Sequence, residues 1–300
     1  MDDLLLSPQV RLALEQGLPV VALESALITH GFAPPSNLEI ARRMEMAVRE
    51  NGAVPATIAV LDGRVHVGLS DEELTCLASD SSARKISLRD LPLAVAQGAS
   101  GGTTVAATIP LAHRVGIPVF ATGGIGGVHR GHSGDMSADL IALASVPVVT
   151  ICSGAKAILD LPRTLEMLET LGVPVIGYNT DEFPAFYSRR SGLRVGGQVK
   201  TPEEIARVAR ARTALGMKTA LLICLPVPEA AEIPAEEVEA LIACAVGEAE
   251  AANISGPSLT PFLLKRLVEL TGGRARRANE ALLISNASLA GRVACALART

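Results

Sequence analysis

Apolar residues in this chain fall into two alternating patterns. Some recur on one side of a helical turn, and others form short unbroken runs. Residues 8–17 have the helical pattern, and LPVVALES at 18–25 is an unbroken run that ends on Glu24. In NLEIARRMEMAVRENG the positions Leu38, Ala41, Met44 and Val48 share one face; Asn37 reads as the N-cap and Asn51-Gly52 as the stop. VPATIAVLDG and RVHVGLS, split by Asp62-Gly63, read as a hairpin. From residue 71 the alternation becomes regular. DEELTCLAS, RDLPLAVAQG and GGTTVAATIPLAHRVG read as helices, and IPVFATGG, VPVVTICSG and VPVIGYNT as buried strands entered through an X-Pro step. Thr201 and Pro202 open a helix, TALLICLPVP is the last buried strand, and helices at 234–252, 259–271 and 276–298 close the chain.

Unbroken apolar strands alternating with helices imply parallel strands covered on both faces. The expected fold is a layered α/β/α with a mixed, largely parallel central sheet. No linker or repeat divides residues 1–300, so one catalytic domain is expected, with an irregular excursion at about 180–199 that holds much of the aromatic content.

Composition narrows the classes of function. The chain has 31 acidic against 27 basic residues, two Tyr, five Phe and no Trp, which disfavours a nucleic-acid surface built on basic stripes and stacking aromatics. The acidic, amphipathic N-terminal stretch fits neither a signal peptide nor a membrane span, so a cytoplasmic protein with no membrane partner is expected. Five cysteines with no CxxC pair read as reduced thiols.

Candidate chemistry concentrates between Ala121 and Lys156. Gly123, Gly124, Gly126 and Gly127 come within five residues, followed by His129, Arg130, His132, Asp135 and Asp139. Glycine at that density lets a backbone approach a ligand. The two histidines and two aspartates could share a divalent ion, or only one carboxylate could hold a hydrated Mg²⁺ or Mn²⁺, or the loop could simply be solvated. Glu24 at a strand end is either a buried acid with a raised pKa or a solvated cap. Lys156 is either a desolvated amine able to attack a carbonyl or a lysine snorkelling to water. GGTTV at 101–105 reads as a phosphate cradle at a helix start, with Thr103 and Thr104 hydroxyls and with Lys85 near, or as an ordinary turn.

Taken together, ALES at 22–25, KIS and RDLP within 85–92, GGTTVAAT at 101–108, FATGGIGGVHRG at 120–131, DMSADL at 135–140, SGAKAILD at 153–160, TDEFPAFY at 180–187, TPFLLKRLVELTGG at 260–273 and Ala278-Asn279 resemble the pseudouridine-5′-phosphate glycosidase family, also called indigoidine synthase A-like. The resemblance runs in order along nearly the whole chain. It implies reversible cleavage of the C–C glycosidic bond of pseudouridine 5′-phosphate to uracil and ribose 5-phosphate, a Mn²⁺ or other divalent cofactor, and a homotrimer. By position it makes Lys156 the catalytic lysine, Glu24 the acid and Asp135 the metal aspartate. Substrate contacts fall on Lys85, Val105, Ser137, Ala138, Asp139 and Asn279, with His129 nearby. The loop between HRG and DMSADL is two residues shorter than is usual in the family, and Leu225-Pro226 stands where Asn-Pro is common. A metal-dependent sugar-phosphate hydrolase and a non-catalytic sugar-phosphate-binding protein are the alternative readings.

Overall fold

A computed structural model describes residues 4–131, 134–252, 254 and 259–298. In chain order the elements are β1 (Leu4–Leu6), α1 (Pro8–Glu15), β2 (Val20–Leu23), α2 (Ser36–Glu50), β3 (Val54–Leu61), β4 (Arg64–Val67), α3 (Asp71–Ser79), β5 (Arg84–Ile86), α4 (Leu91–Ala96), β6 (Gly101–Thr103) and α5 (Val105–Arg114). They continue with β7 (Val119–Ala121), α6 (Ala138–Ser145), β8 (Val149–Cys152), α7 (Leu161–Thr170), β9 (Val175–Tyr178), β10 (Gly197–Val199), α8 (Pro202–Ala214), β11 (Leu221–Cys224), α9 (Ala235–Ala251), α10 (Leu259–Leu270) and α11 (Arg274–Ala298).

The strands form one sheet in the order β1-β4-β3-β2-β7-β8-β11-β9-β10, with β6 on β3 and β5 on β6. From β3 through β2, β7, β8, β11, β9 and β10 every pairing is parallel, whereas β3 pairs antiparallel with both β4 and β6. The sheet is therefore mixed and largely parallel, with helices on both sides, as the alternation of patterns implies. β2, β8 and β11 are buried along their whole length, which is why they read as continuous apolar runs. On one side α11 packs on α2 and α8 and lies over β2, β7 and β8; on the other, α5 packs on α6 and on β2 and β3. By length and hydropathy α11 could cross a bilayer, but over half of its most apolar window is buried inside the protein.

Local signals explain most boundaries. Asp62 (φ 48°) and Gly63 (φ +74°) make the expected turn between β3 and β4. The Thr201 hydroxyl accepts from the Glu204 N–H at 3.2 Å, capping α8. Asn37 differs from its expected role. It lies inside α2, buried, and its amide donates to the Ile28 carbonyl at 2.9 Å and the Ala78 carbonyl at 2.8 Å, tying a turn of π-helix at Leu27–Gly31 to the end of α3. Gly101 and Gly102 also differ, being part of β6 rather than of a helix start. A Cβ on Gly101 would come within 2.2 Å of the Arg84 carbonyl oxygen, and one on Gly102 within 2.5 Å of the Ser25 carbonyl oxygen. These glycines let three segments crowd together.

One feature of the sheet opens the site. β2 pairs with the first half of β3, up to Thr57, and β6 takes over the same edge at Ala59 and Val60. The Ser25 hydroxyl joins the fork by donating to the Ile58 carbonyl at 2.5 Å and accepting from the Thr103 N–H at 3.0 Å. The chain leaves β2 at this fork, and the residue there is Glu24. Ligands in open parallel sheets bind where neighbouring connections part in this way.

Candidate active site

A cavity of about 570 Å³ opens beyond the C-terminal ends of β2, β7 and β8. Glu24, Lys85, Val105, His129, Asp135, Ser137, Asp139, Lys156 and Asn279 all line it. Of the residues expected at a site, Ala138 does not line the cavity; it is exposed as the first residue of α6.

Two strand extensions carry the floor and the lysine. Past its last paired residue β7 runs on as Thr122–Ile125, and β8 as Ser153–Lys156. Backbone hydrogen bonds continue between them: Thr122 N–H to Ile151 O at 3.0 Å, Ser153 N–H to Gly123 O at 2.9 Å, Ile125 N–H to Gly154 O at 3.0 Å and Lys156 N–H to Ile125 O at 3.1 Å. Lys156 is thereby fixed against the glycine segment by the ladder itself. Its side chain makes no hydrogen bond to another described residue, and its positive charge acts on Glu24 and Lys85.

Glu24 is half-buried on the cavity wall. Burial raises its pKa above the usual carboxylate value, partly opposed by the Lys156 charge and by the hydrogen bond donated from the Thr122 hydroxyl. The acid therefore tends to hold a proton, while the lysine beside it is oriented by backbone.

Another part of the lining is basic. Lys85 and Arg89 line the cavity there together with His30, Thr104 and Val105 at the start of α5. Burial, then the Lys156 charge, lowers the Lys85 pKa, and burial, then Lys85, lowers that of His30. Among the described residues the buried Thr104 hydroxyl has no partner, and it caps no N–H of its own helix. An orphaned hydroxyl at a helix start, beside the Lys85 and Arg89 side chains and the His30 imidazole, suits an anion such as phosphate. Thr103 does not contribute in the way the sequence suggests, because its hydroxyl donates to the Ile58 carbonyl at 2.7 Å within the sheet.

The expected metal cluster resolves differently. His132 lies outside the described residues, and among the described residues no group of three or more His, Cys, Asp or Glu could hold an ion. Asp139 is buried, and its two carboxylate oxygens accept from the Ala106 N–H at 2.9 Å and the Gly126 N–H at 2.8 Å. It ties the glycine segment to the start of α5. Ser137 caps α6 by accepting from the Asp139 N–H at 3.2 Å. Asp135 is exposed on the cavity wall, its carbonyl accepting from the His129 N–H at 3.0 Å.

The 180–199 excursion reaches its own chain's site. Phe186 lines the cavity over Gly124, where a Cβ would come within 2.6 Å of the ring. It adopts φ 62°, unusual for a residue with a side chain, and its ring meets Tyr187 edge-on at 4.8 Å. Phe186, Leu264 and Leu283 make this end of the cavity apolar around the Asn279 amide. His30, Arg89, Thr122 and Phe186 had no individual sequence signal. Lys85 in KIS is followed closely by Arg89, and that proximity is the one clue that could have found the latter.

A carboxyl with a raised pKa beside a backbone-oriented lysine, in one cavity with basic and apolar side chains, is the site of an enzyme acting on a small molecule. The chain belongs to the indigoidine synthase A like protein family, which it matches over residues 9–296. It is 57% identical to a pseudouridine-5′-phosphate glycosidase of Methylobacterium nodulans over 97% of this chain and 87% of the relative. It is 55% identical to the one of Deinococcus radiodurans, over 98% and 95%. Among solved structures, an indigoidine synthase A-like protein of Thermotoga maritima superposes with a TM-score of 0.89 at 42% identity, covering 95% of this chain and 94% of the other. The prealnumycin C-glycosynthase AlnA in complex with ribulose 5-phosphate superposes with a TM-score of 0.93 at 40% identity, covering 100% and 98%. The family resemblance carried by the sequence motifs is borne out.

Proposed function

We propose that this enzyme cleaves pseudouridine 5′-phosphate reversibly to uracil and ribose 5-phosphate. The observation that carries the reading is the meeting of Glu24 and Lys156 in one cavity from the ends of separate strands. The leaving base of a C-glycoside is joined to the anomeric carbon through carbon, with no exocyclic oxygen or nitrogen for an ordinary general acid to protonate, so the bond is broken by another route. Glu24 donates its proton to the ribose ring oxygen while the Lys156 amine attacks C1. The C1–O bond breaks as the C1–N bond forms, which leaves an open-chain sugar carrying both the base and the lysine nitrogen on C1. Once that nitrogen has lost its proton, its lone pair forms the imine as the bond from C1 to the base breaks; the electrons of that bond go to C5 of the base, which takes up a proton, uracil departs, and water hydrolyses the lysine imine to ribose 5-phosphate.

The basic part of the lining, with Lys85, Thr104 and the Val105 N–H, receives the phosphate, and the apolar part with Asn279 receives the base. His129 and Ser137 line the sugar's path. Asp139 contributes by holding the glycine floor, and Ala138 by starting the helix that carries it. The relatives' names and the ribulose 5-phosphate held by AlnA support a sugar phosphate in this cavity.

A divalent ion fits in a limited form. One exposed carboxylate on a cavity wall suits a largely hydrated Mn²⁺ or Mg²⁺ rather than a closed zinc site. Asp135 would hold it, and the ion would supply charge neutralisation next to an anionic substrate. On the family resemblance we also propose a homotrimer and a cytoplasmic location; light scattering of the purified protein checks the first and fractionation the second.

The test is direct. Purified enzyme with pseudouridine 5′-phosphate and Mn²⁺ should release uracil, and borohydride in the presence of ribose 5-phosphate should add the sugar's mass at Lys156. Release of inorganic phosphate in place of uracil would overturn the reading in favour of a hydrolase.

A further inference from the structure

We infer that Asn286, in the middle of α11 and outside the cavity lining, is a positioning residue that clasps the two strand extensions bearing the catalytic groups. Asn286 is fully buried, and every polar atom of its side chain is spent on this region. Its amide nitrogen donates to the Thr122 carbonyl at 2.8 Å and meets the Ser153 hydroxyl at 3.2 Å, with the Gly123 carbonyl at 3.4 Å. Its amide oxygen meets the same hydroxyl at 3.3 Å.

These contacts fall at the point where both strands run past their paired ends. Thr122 is the residue whose hydroxyl donates to Glu24, and Ser153 is the first residue of the turn that ends at Lys156. Among the described residues, the direct hydrogen bonds between the extensions run from backbone to backbone, as in Ser153 N–H to Gly123 O at 2.9 Å. The Phe186 N–H adds a bond to the Ser153 carbonyl at 3.2 Å on the cavity side. Asn286 supplies a third point, from the helix layer, and thereby fixes the pair relative to the body of the protein. A buried asparagine whose amide reaches two strands at once is a costly choice for a core position, since leucine would bury more apolar surface. Satisfied networks of this kind impose one geometry.

The inference rests on the proposed roles of Glu24 and Lys156 only for its kinetic consequence. Displacements near one ångström in a reacting pair cost on the order of a hundredfold in rate. In Asn286→Leu, kcat for uracil release should fall about 10- to 100-fold, with KM within about threefold of wild type. Hydrogen exchange at the Ser153, Ile125 and Lys156 amides should accelerate about tenfold or more, while α5 exchanges as before. Ser153→Ala keeps the asparagine bonded to the β7 extension. It should show the same pattern at smaller amplitude, and it serves if the leucine variant does not fold. Unchanged kcat in the folded variant, or exchange that rises uniformly through the protein, would overturn the inference by making Asn286 a stabilising residue only. Should the wild type release no uracil, the glycosidase reading fails, whereas the exchange pattern still decides whether Asn286 clasps these strands.

Discussion

The segment Gly123–Gly127 and the segment His129–Asp135 are adjacent in the chain and both rich in glycine, yet they use the residue for different ends. In the first, residues 123–127 are all buried, none of its glycines has positive φ, and each is crowded by a neighbour. A Cβ on Gly126 would fall 2.2 Å from the Ser137 hydroxyl, and one on Gly127 would fall 2.3 Å from that of Thr164. In the second, Gly131 has φ +79° and Gly134 φ +109°, with no atom of a described residue within 4 Å of an added Cβ. One segment needs the missing side chain, the other the permissive backbone. The difference separates a buried floor, which carries Lys156 through its hydrogen bonds, from the exposed glycines 131 and 134 that lie near Asp135 in the chain.

The sharpest way to test that division is to remove the groups the floor serves. Lys156→Ala should lower uracil release on the order of a thousandfold or more and abolish borohydride trapping. Trapping that persists would place the nucleophile elsewhere. Glu24→Gln should cost about 10²- to 10⁴-fold. Because burial raises the Glu24 pKa, kcat should fall as pH rises through that value. The neutral carboxyl's contribution to stability is complete below the ordinary value of 4.5 and is lost as pH rises through the folded-state pKa. Hence Glu24→Gln should melt higher than wild type at pH about 8 and show no such gain at pH about 4; a gain of equal size at both would contradict a carboxyl whose ionisation is opposed by the fold.

On the exposed segment, Asp135→Asn should raise the Mn²⁺ concentration needed for half-maximal activity about tenfold or more while leaving the melting temperature near wild type. An unchanged metal requirement would remove Asp135 from that role. The smallest effects test the glycines themselves. Gly126→Ala should destabilise by about 1–3 kcal/mol through overpacking against Ser137. Gly131→Ala should cost only about 1 kcal/mol, from its left-handed backbone. Denaturant titrations giving the two variants equal losses would erase the distinction.

Much of this arrangement was legible in the sequence. Unbroken apolar runs announced the buried parallel strands, and Glu24 and Lys156 stood out as charges placed at the ends of such runs. The Asp62-Gly63 turn and the Thr201 cap were readable because a few adjacent residues decide them. What sequence could not supply was whatever depends on distant partners. Asn37 has the chemistry of a cap, and only the nearness of Ile28 and Ala78 diverts it. Gly101 and Gly102 look like the opening of a helix until β3 and β5 are seen to flank them. Asp139 looks like a metal ligand until the N–H groups of Ala106 and Gly126 claim its oxygens. The placement of β11 between β8 and β9 and the three-residue strands β1, β5 and β10 left no periodicity to read.

The contact between Gly124 and Phe186 has a consequence for how this site can change over generations. The ring occupies the volume that any side chain at position 124 would need, and the residue carrying the ring holds a backbone conformation that favours glycine. Neither position can be altered first without harm: a methyl at 124 collides with the aromatic ring, and loss of the ring opens a gap over the floor. A lineage that exchanged the two sizes would have to cross an intermediate worse than either end, so the two positions should drift as a unit or remain as they are.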